Sequence, residues 1–161
     1  MTAPERTPLQ VTSGEVSTSR FAPHGEFRIW TEGDILCYDA TGPFNLEALH
    51  ALAAARVKIV QQWKPGRRIA ALVHWHTSAL MSPEAFAAYR QGLERFHESV
   101  NLPVALAWVA SPEVEGMQLM INKFEELFTR RKTNFRLFDS LEPARAWVNA
   151  CLAEVHGTPP A

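Results

Sequence analysis

The chain has 161 residues, a hydrophobic share of 47% and a formal net charge of -1. This length and composition suit one domain with a full core, and the balanced charge excludes an overall field that attracts nucleic acid or an anionic membrane. No apolar run approaches the ~20 residues that span a bilayer, and the first residues lack the apolar core of a secretory signal, so we expect a cytoplasmic protein.

The N-terminal segment differs in composition from the rest of the chain. Residues 1–24 are rich in Pro, Thr, Ser and Gly and contain few large apolar residues. This composition predicts a flexible tail with at most a short strand near Val16. A single domain is predicted to span residues 25–153, and the Gly- and Pro-containing residues 154–161 are predicted to fray.

A hairpin is predicted at the start of the domain. Two β-prone runs, Phe27–Trp30 and Ile35–Tyr38, flank Glu32-Gly33-Asp34, and glycine between such runs is typical of an antiparallel hairpin. The first strand is then expected at an edge of the sheet. An edge leaves backbone groups unpaired, so this strand or the tail is where a second copy of the chain would pair in a homodimer.

The next segment carries the pattern of an amphipathic helix. It begins after Thr41-Gly42-Pro43 and is stopped by Lys64-Pro65-Gly66. Apolar residues recur between these breaks at three- and four-residue steps. The predicted buried stripe consists of Leu46, Leu49, Ala53, Val57, Val60 and Trp63.

Two short runs, Ile69–Trp75 and Val104–Ala110, are almost wholly apolar. A run that is apolar on both faces is what a strand in the middle of a parallel sheet requires, because helices cover it from both sides. Each run precedes a Ser-Pro-Glu triplet, at Ser82-Pro83-Glu84 and at Ser111-Pro112-Glu113. Serine as N-cap followed by proline at the first helical position predicts that a helix begins at each triplet.

The chain closes with one more strand and helix. Phe135–Phe138 is a short β-prone run, and Ser140 is predicted to cap a helix through Leu152. The element order is therefore β-β-α-β-α-β-α-β-α. Strand-helix-strand crossovers are right-handed in nearly all proteins, which makes the later strands parallel. We predict an α/β domain with a mostly parallel central sheet, an antiparallel edge strand and helices on both faces.

This order resembles the STAS superfamily, the domain of bacterial anti-sigma-factor antagonists, and in particular its SpoIIAA-like branch of stand-alone bacterial proteins. The resemblance covers roughly Phe27 to Leu152 and includes the ending Phe135 to Val148, which is similar to the F-x-(D/S)-x-x-x-A-x-x-W-(L/V) close of that branch. It implies a non-catalytic regulatory module that binds a protein partner or a small ligand. Some SpoIIAA-like proteins also look like the lipid-binding Sec14 fold, which implies a carrier of an apolar ligand as the alternative.

The resemblance also implies a phosphorylation site. In regulatory members a Ser or Thr in the loop after the central strand is phosphorylated by a partner kinase, usually between an Asp and a Gly. The corresponding stretch here, Val73 to Ser82, lacks that Asp and that Gly. Thr77 and Ser78 are therefore candidates by position alone.

Strand ends indicate where a ligand or partner would bind. Open α/β sheets bind ligands beyond the carboxyl ends of their strands. Two of the residues at these strand ends have a structural alternative to ligand binding, which is core packing for Trp75 and loop capping for Asp39. The predicted ligand or partner surface consists of Asp39, Thr41, Trp75, His76, Thr77, Ser78 and Ser111.

The sequence favours neither a metal site nor a catalytic one. His74 and His76 share a strand face, but a protein zinc site needs three or four ligands, so we predict structural histidines and no metal. Ser78 near His76 suggests a nucleophile and a base, yet the G-x-S-x-G elbow is missing, which leaves a small hydrolase as a distant alternative. No Gly-rich phosphate loop is present, and no cofactor is expected. Cys37 and Cys151 are predicted to be free thiols.

Overall fold

The computed structural model describes residues 9–18, 20–99 and 103–157. Within these residues six strands form one sheet in the order β1-β2-β3-β4-β5-β6. The β1–β2 and β2–β3 pairs are antiparallel, and the other three pairs are parallel. The predicted α/β class is confirmed. The strands are β1 (Val11–Thr12), β2 (Glu26–Glu32), β3 (Ile35–Thr41), β4 (Ala70–His76), β5 (Leu106–Val109) and β6 (Phe135–Phe138).

Helices cover both faces of this sheet, but unequally. Alternate strand residues form two apolar clusters, one on each face. Helices α2, α3 and α4 pack on the larger cluster, whereas α5 is the one described helix that packs on the smaller cluster, over β4, β5 and β6. The helices are α1 (Ser13–Val16), α2 (Leu46–Val60), α3 (Pro83–Ser99), α4 (Met117–Arg130) and α5 (Leu141–His156).

The hairpin between β2 and β3 forms as predicted, with Glu32 opposite Ile35 and Gly33 at a φ of 56° in the turn. The prediction that its first strand is the sheet edge is wrong. Val11 of β1 pairs with Ile29 of β2 and is buried. This pairing brings another apolar side chain into the core, which the polar composition of the surrounding segment conceals.

The segment around β1 is more ordered than its composition suggests. The short strand lies at β1 and not near Val16, which instead ends α1. Ser13 is fully buried, and its Oγ accepts a hydrogen bond of 2.9 Å from the backbone N–H of Phe27. One residue of the predicted tail thus satisfies a buried backbone donor of the domain.

The two apolar runs form the adjacent parallel strands β4 and β5, as predicted. Val73 pairs with Trp108, and Ala71 pairs with Leu106. Trp75 and Trp108 are buried with their ring centroids 4.6 Å apart, and Phe124 of α4 lies against Trp108 at 4.5 Å. Aromatic packing at these separations makes this cluster the centre of the larger core.

Two predicted details of the helices are wrong. Ser111-Pro112-Glu113 does not begin a helix, because α4 starts at Met117 after Gly116, whose φ is 73°. The stripe predicted for α2 has the wrong phase: Val57 is exposed, whereas Leu52 and Ile59 are buried. Apolar side chains occur on several sides of this alanine-rich helix, so the spacing alone does not single out one face.

Of the other two predicted serine caps, Ser82 forms its capping hydrogen bond, whereas Ser140 occupies the N-cap position of α5 without a capping hydrogen bond from its side chain. The Ser82 Oγ accepts a hydrogen bond of 3.1 Å from the backbone N–H of Ala85 at the start of α3. Helix α5 continues to His156, beyond the predicted domain boundary at residue 153. Cys37 and Cys151 are free thiols, as predicted. Among the described residues, no helix is long and apolar enough to cross a membrane.

Candidate functional site

A cleft opens on the face of the sheet that α5 covers, over strands β2, β3 and β4. Its volume is about 330 Å³. Its floor is formed by strand residues, and the first turns of α5 form one wall. It is lined by Arg28, Trp30, Cys37, Tyr38, Asp39, Leu72, His74, His76, Leu141 and Arg145.

The alternation of strand residues places polar groups in this cleft. Along β4, Leu72, His74 and His76 point to the same face. Leu72 is buried in the smaller apolar cluster, whereas the two histidines lie further along the strand and remain partly exposed. The same change from apolar to polar occurs on β3 between Cys37 and Asp39. The cleft is therefore the polar continuation of a covered apolar face.

Asp39 is the centre of the polar cluster. It lies opposite His74 in the parallel register of β3 and β4. Its Oδ1 is 3.1 Å from Nε2 of His76 and 3.9 Å from Nδ1 of His74. Its Oδ2 accepts a hydrogen bond from the guanidinium of Arg28 on the neighbouring strand β2. Three adjacent strands thus converge on one carboxylate.

The surroundings of Asp39 determine its ionisation. Burial by itself would raise the pKa of this carboxyl, but hydrogen bonds from His76 and Arg28 outweigh burial and hold the pKa below its ordinary value. The pKa of His74 is lowered, chiefly by burial and further by the charge of His76, although Asp39 opposes the shift. At neutral pH the cluster therefore combines an ionised carboxylate with an imidazole, that of His74, which favours its neutral form.

A second ion pair forms the wall beside α5. Arg145 of α5 donates a hydrogen bond to Glu32 at the end of β2, and the Trp30 Nε1 donates to the same carboxyl at 2.9 Å. Burial would raise the pKa of Glu32, but these two hydrogen bonds outweigh it and lower the pKa. The pair joins the helix to the hairpin and fixes the position of Trp30 at the cleft.

The predicted surface residues do not all lie together. Asp39 and His76 line the cleft. Trp75 is in the core on the opposite face of the sheet, and Ser78 is fully buried. The remaining three residues are exposed at strand ends or in loops; they are Thr41, Thr77 and Ser111.

The loops at the carboxyl edge of the sheet are bound to one another, which explains the burial of Ser78. The backbone N–H of Glu115 donates to the carbonyl of Thr77 at 2.9 Å, and the backbone N–H of Ala79 donates to the carbonyl of Glu115 at 2.8 Å. Ser78 therefore pairs with Glu115 in a short parallel bridge. The Ser78 Oγ accepts from the backbone N–H of Leu80 at 3.2 Å. In this conformation the side chain of Thr77 is exposed, whereas that of Ser78 is not.

A second cavity lies inside the larger core, and its volume is about 40 Å³. Its polar groups are the hydroxyl of Tyr38, which accepts a hydrogen bond of 3.2 Å from Nε of Arg56, and the buried Tyr89, whose pKa burial raises to about 12. Such a volume accommodates a water molecule or two but no lipid chain.

Arg28 and Arg145 were not predicted as cleft residues, and His74 was predicted to be structural. A signal for Arg28 was present, because Arg28, Trp30 and Glu32 alternate along β2 and so share one face. This alternation indicates a cleft residue only once the structure shows that β2 places Arg28 opposite Asp39. Arg145 reaches the cleft through the packing of α5, for which the local sequence carries no signal.

Comparisons of the chain with protein-family models, with curated proteins and with solved structures gave no significant match. The function is therefore argued from the chemistry of the cleft.

Proposed function

We propose that this protein is a non-catalytic, STAS-like binding module that holds a small organic anion in the cleft over β2, β3 and β4. The observation that carries the proposal is the half-exposed side chain of Arg28 in a cleft that Trp30 and Leu141 also line. The side chain of Arg28 is 47% exposed. A cation in this position is accessible to a ligand and already oriented by the protein.

The polar part of the ligand would be bound chiefly by Arg28. A guanidinium carries five N–H donors. Among the described residues, Arg28 uses one of these donors in its hydrogen bond to Asp39. Donors therefore remain for a carboxylate or a phosphate, groups that arginine binds with good geometry. His76 lies next to the carboxylate of Asp39. Its side chain is 40% exposed and offers the ligand a further polar contact.

The rest of the ligand would contact apolar surface. Trp30 and Leu141 line the same cleft as the polar cluster. The volume of about 330 Å³ lies at the lower end of the range of about 300–1,000 Å³ found for small-molecule sites. These dimensions favour a compact organic anion over a long chain.

The other functions considered from the sequence receive less support. A hydrolase that uses Ser78 needs an accessible nucleophile, and this serine is fully buried with its Oγ bonded to the N–H of Leu80. A carrier of an apolar chain needs a larger cavity than the 40 Å³ beside Tyr38 and Arg56. Thr77, exposed beside His76, is the residue at which a partner kinase would regulate the module.

A titration followed by nuclear magnetic resonance tests this proposal. The isotope-labelled protein is titrated with benzoate and with phenyl phosphate, which combine an anionic group with a compact apolar part. We expect shifts at Arg28, Asp39, His74 and Leu141. Arg28→Gln should weaken binding by about 10- to 100-fold, because a hydrogen bond to a charged group contributes about 1.5–3 kcal/mol.

Arg68→Gln is the matched control, since Arg68 is an exposed arginine away from the cleft, and it should leave the affinity unchanged. Shifts confined to the opposite edge of the sheet, near Pro65 and Gly66, would contradict the proposal. Equal affinity in both arginine variants would contradict it as well.

A further inference from the structure

We propose that Asp39, His74 and His76 form a binding site for one divalent transition-metal ion of the zinc class. The inference goes beyond the proposed function and does not depend on it, because Asp39, His74 and His76 would hold the ion whether or not an anion binds at Arg28. It revises the expectation of no metal site, which counted ligands along the sequence.

The sheet register supplies the third ligand. His74 and His76 lie two residues apart on β4, and their ring centroids are 4.1 Å apart. Asp39 lies on β3 opposite His74, which brings its carboxylate to the same face. The count of ligands therefore rises from two to three, the number that zinc sites with an open position use.

The separations suit one ion. One ligand atom from each residue can be chosen so that all three lie within 4.8 Å of one another. In a tetrahedral zinc site the ligand atoms lie about 3.3–3.6 Å apart, given metal–ligand bonds of about 2.0–2.2 Å. The 3.1 Å between Oδ1 of Asp39 and Nε2 of His76 is close to this separation. Nδ1 of His74 lies 3.9 Å from the same oxygen and would have to approach it by about 0.3–0.6 Å.

The carboxylate is held in an orientation that suits a ligand. Arg28 engages Oδ2 of Asp39, whereas Oδ1 is the oxygen nearest both histidines. Hydrogen bonds of this kind orient the ligands in natural metal sites. The positive charge of Arg28 opposes a cation, but its side chain is 47% exposed, so solvent screens much of this repulsion.

The donor set and its accessibility indicate the class of ion. Two imidazoles and one carboxylate suit Zn²⁺ and its neighbours in the transition series better than Mg²⁺ or Ca²⁺, which prefer oxygen ligands alone. The side chains of Asp39, His74 and His76 are between 20% and 40% exposed, so an ion can enter from solvent. Its fourth position would face the cleft.

Calorimetric titration of the full, tag-free chain with Zn²⁺ tests this inference. The protein is first stripped of metal with a chelator, and Co²⁺ absorption then reports on the coordination. We expect one equivalent of Zn²⁺ with a Kd of about 1 μM or tighter. His74→Gln and His76→Gln should each weaken binding by more than about 100-fold, since the loss of an outer-shell partner alone costs about 10–100-fold.

His50→Gln is the matched control, because His50 is an exposed histidine on α2 and its removal should leave zinc binding unchanged. Circular dichroism of each variant establishes that it has folded, and Asp39→Asn offers a third variant if one histidine change unfolds the chain. Absence of saturable binding, or binding that survives the changes of His74 and His76, would overturn the metal site. Neither result decides whether an anion binds at Arg28, because that proposal is tested by the separate titration with Arg28→Gln.

Discussion

Thr77 is the residue whose backbone conformation most clearly departs from what its side chain favours. Its φ is 62°, in the left-handed region, where a β-branched residue is an outlier. The residue follows His76 directly and lies in the loop that pairs with Glu115. Strain of this kind persists where surrounding contacts fix the chain, and it occurs preferentially at functional sites.

Replacement of Thr77 by glycine should therefore stabilise the protein. The left-handed region costs an ordinary residue about 1–2 kcal/mol, and glycine loses about 0.5–1 kcal/mol through its greater freedom in the unfolded chain. We expect Thr77→Gly to raise the free energy of unfolding by about 0.5–1 kcal/mol, measured by urea denaturation.

Thr41→Gly provides the control, because Thr41 is also exposed but lies in the extended strand β3. There the entropic cost of glycine is not offset, and the change should destabilise by about 0.5–1 kcal/mol. Loss of stability in both variants would show that the backbone at Thr77 is unstrained.

At the scale of elements, the central strands are defined by burial on both faces. Leu106 of β5 is 8% exposed and belongs to the larger core, whereas Leu119 of α4 is 69% exposed. The two leucines have the same side chain, so a comparison between them isolates the effect of burial.

Truncation of Leu106 to alanine should lower the free energy of unfolding by about 2–5 kcal/mol, because it removes buried methyl groups and leaves a cavity between the sheet and its helices. Leu119→Ala should change it by less than about 0.5 kcal/mol, as is usual for surface positions. Chemical denaturation measures both, and an unmoved midpoint for Leu106→Ala would refute the covered-strand arrangement.

The loops at the carboxyl edge act as extensions of the strands. Phe44 and Met81 form a parallel bridge, and the N–H of Phe44 donates to the carbonyl of Leu80 at 2.9 Å. Gly42 belongs to the same contact, because a Cβ at this position would lie 2.2 Å from the carbonyl oxygen of Ser78. These contacts join the loop that follows β3 to the loop that follows β4.

At the scale of the whole molecule, the cleft results from unequal covering of the sheet. Three long helices pack on one face, and among the described helices α5 alone packs on the other, over β4 to β6. The part of this face at β2 and β3 is left to side chains such as Arg28 and Asp39. A polar cluster can remain solvated there without cost to the core.

The N-terminal segment also contributes to the whole molecule. A chain that begins at Gly25 loses the buried Val11 and the hydrogen bond from Phe27 to Ser13. We expect the free energy of unfolding to fall by about 2–4 kcal/mol, from the burial of one valine and one buried hydrogen bond. A denaturation midpoint equal to that of the full chain would show that the N-terminal segment adds no stability, as the prediction of a flexible tail requires.

Ser13→Ala separates the hydrogen bond from the rest of the segment and should cost about 1–3 kcal/mol, because the N–H of Phe27 loses its partner. Ser140→Ala is the control, since Ser140 is exposed and its side chain makes no capping hydrogen bond. Size measurement on the truncated chain also tests whether the segment mediates a homodimer.

The sequence by itself determined the features that depend on neighbours along the chain. The continuous apolar runs at β4 and β5 required coverage on both faces, and the glycine at position 33 marked the hairpin. The α/β class, the hairpin and the adjacency of β4 and β5 follow from these local patterns. Asp39 and His76, which line the cleft, were also predicted in this way, because both lie at strand ends.

Only the tertiary structure decided which residues meet across strands. The register places Asp39 opposite His74, and a register depends on how helices and loops fit the sheet, not on either strand alone. The tertiary structure also decided that β1 pairs with β2 from a polar segment, and which face of α2 is buried. It likewise decided that Arg145 reaches the cleft from α5. Local sequence encodes the periodicity of each element, whereas the cleft is made of contacts between elements distant in the chain.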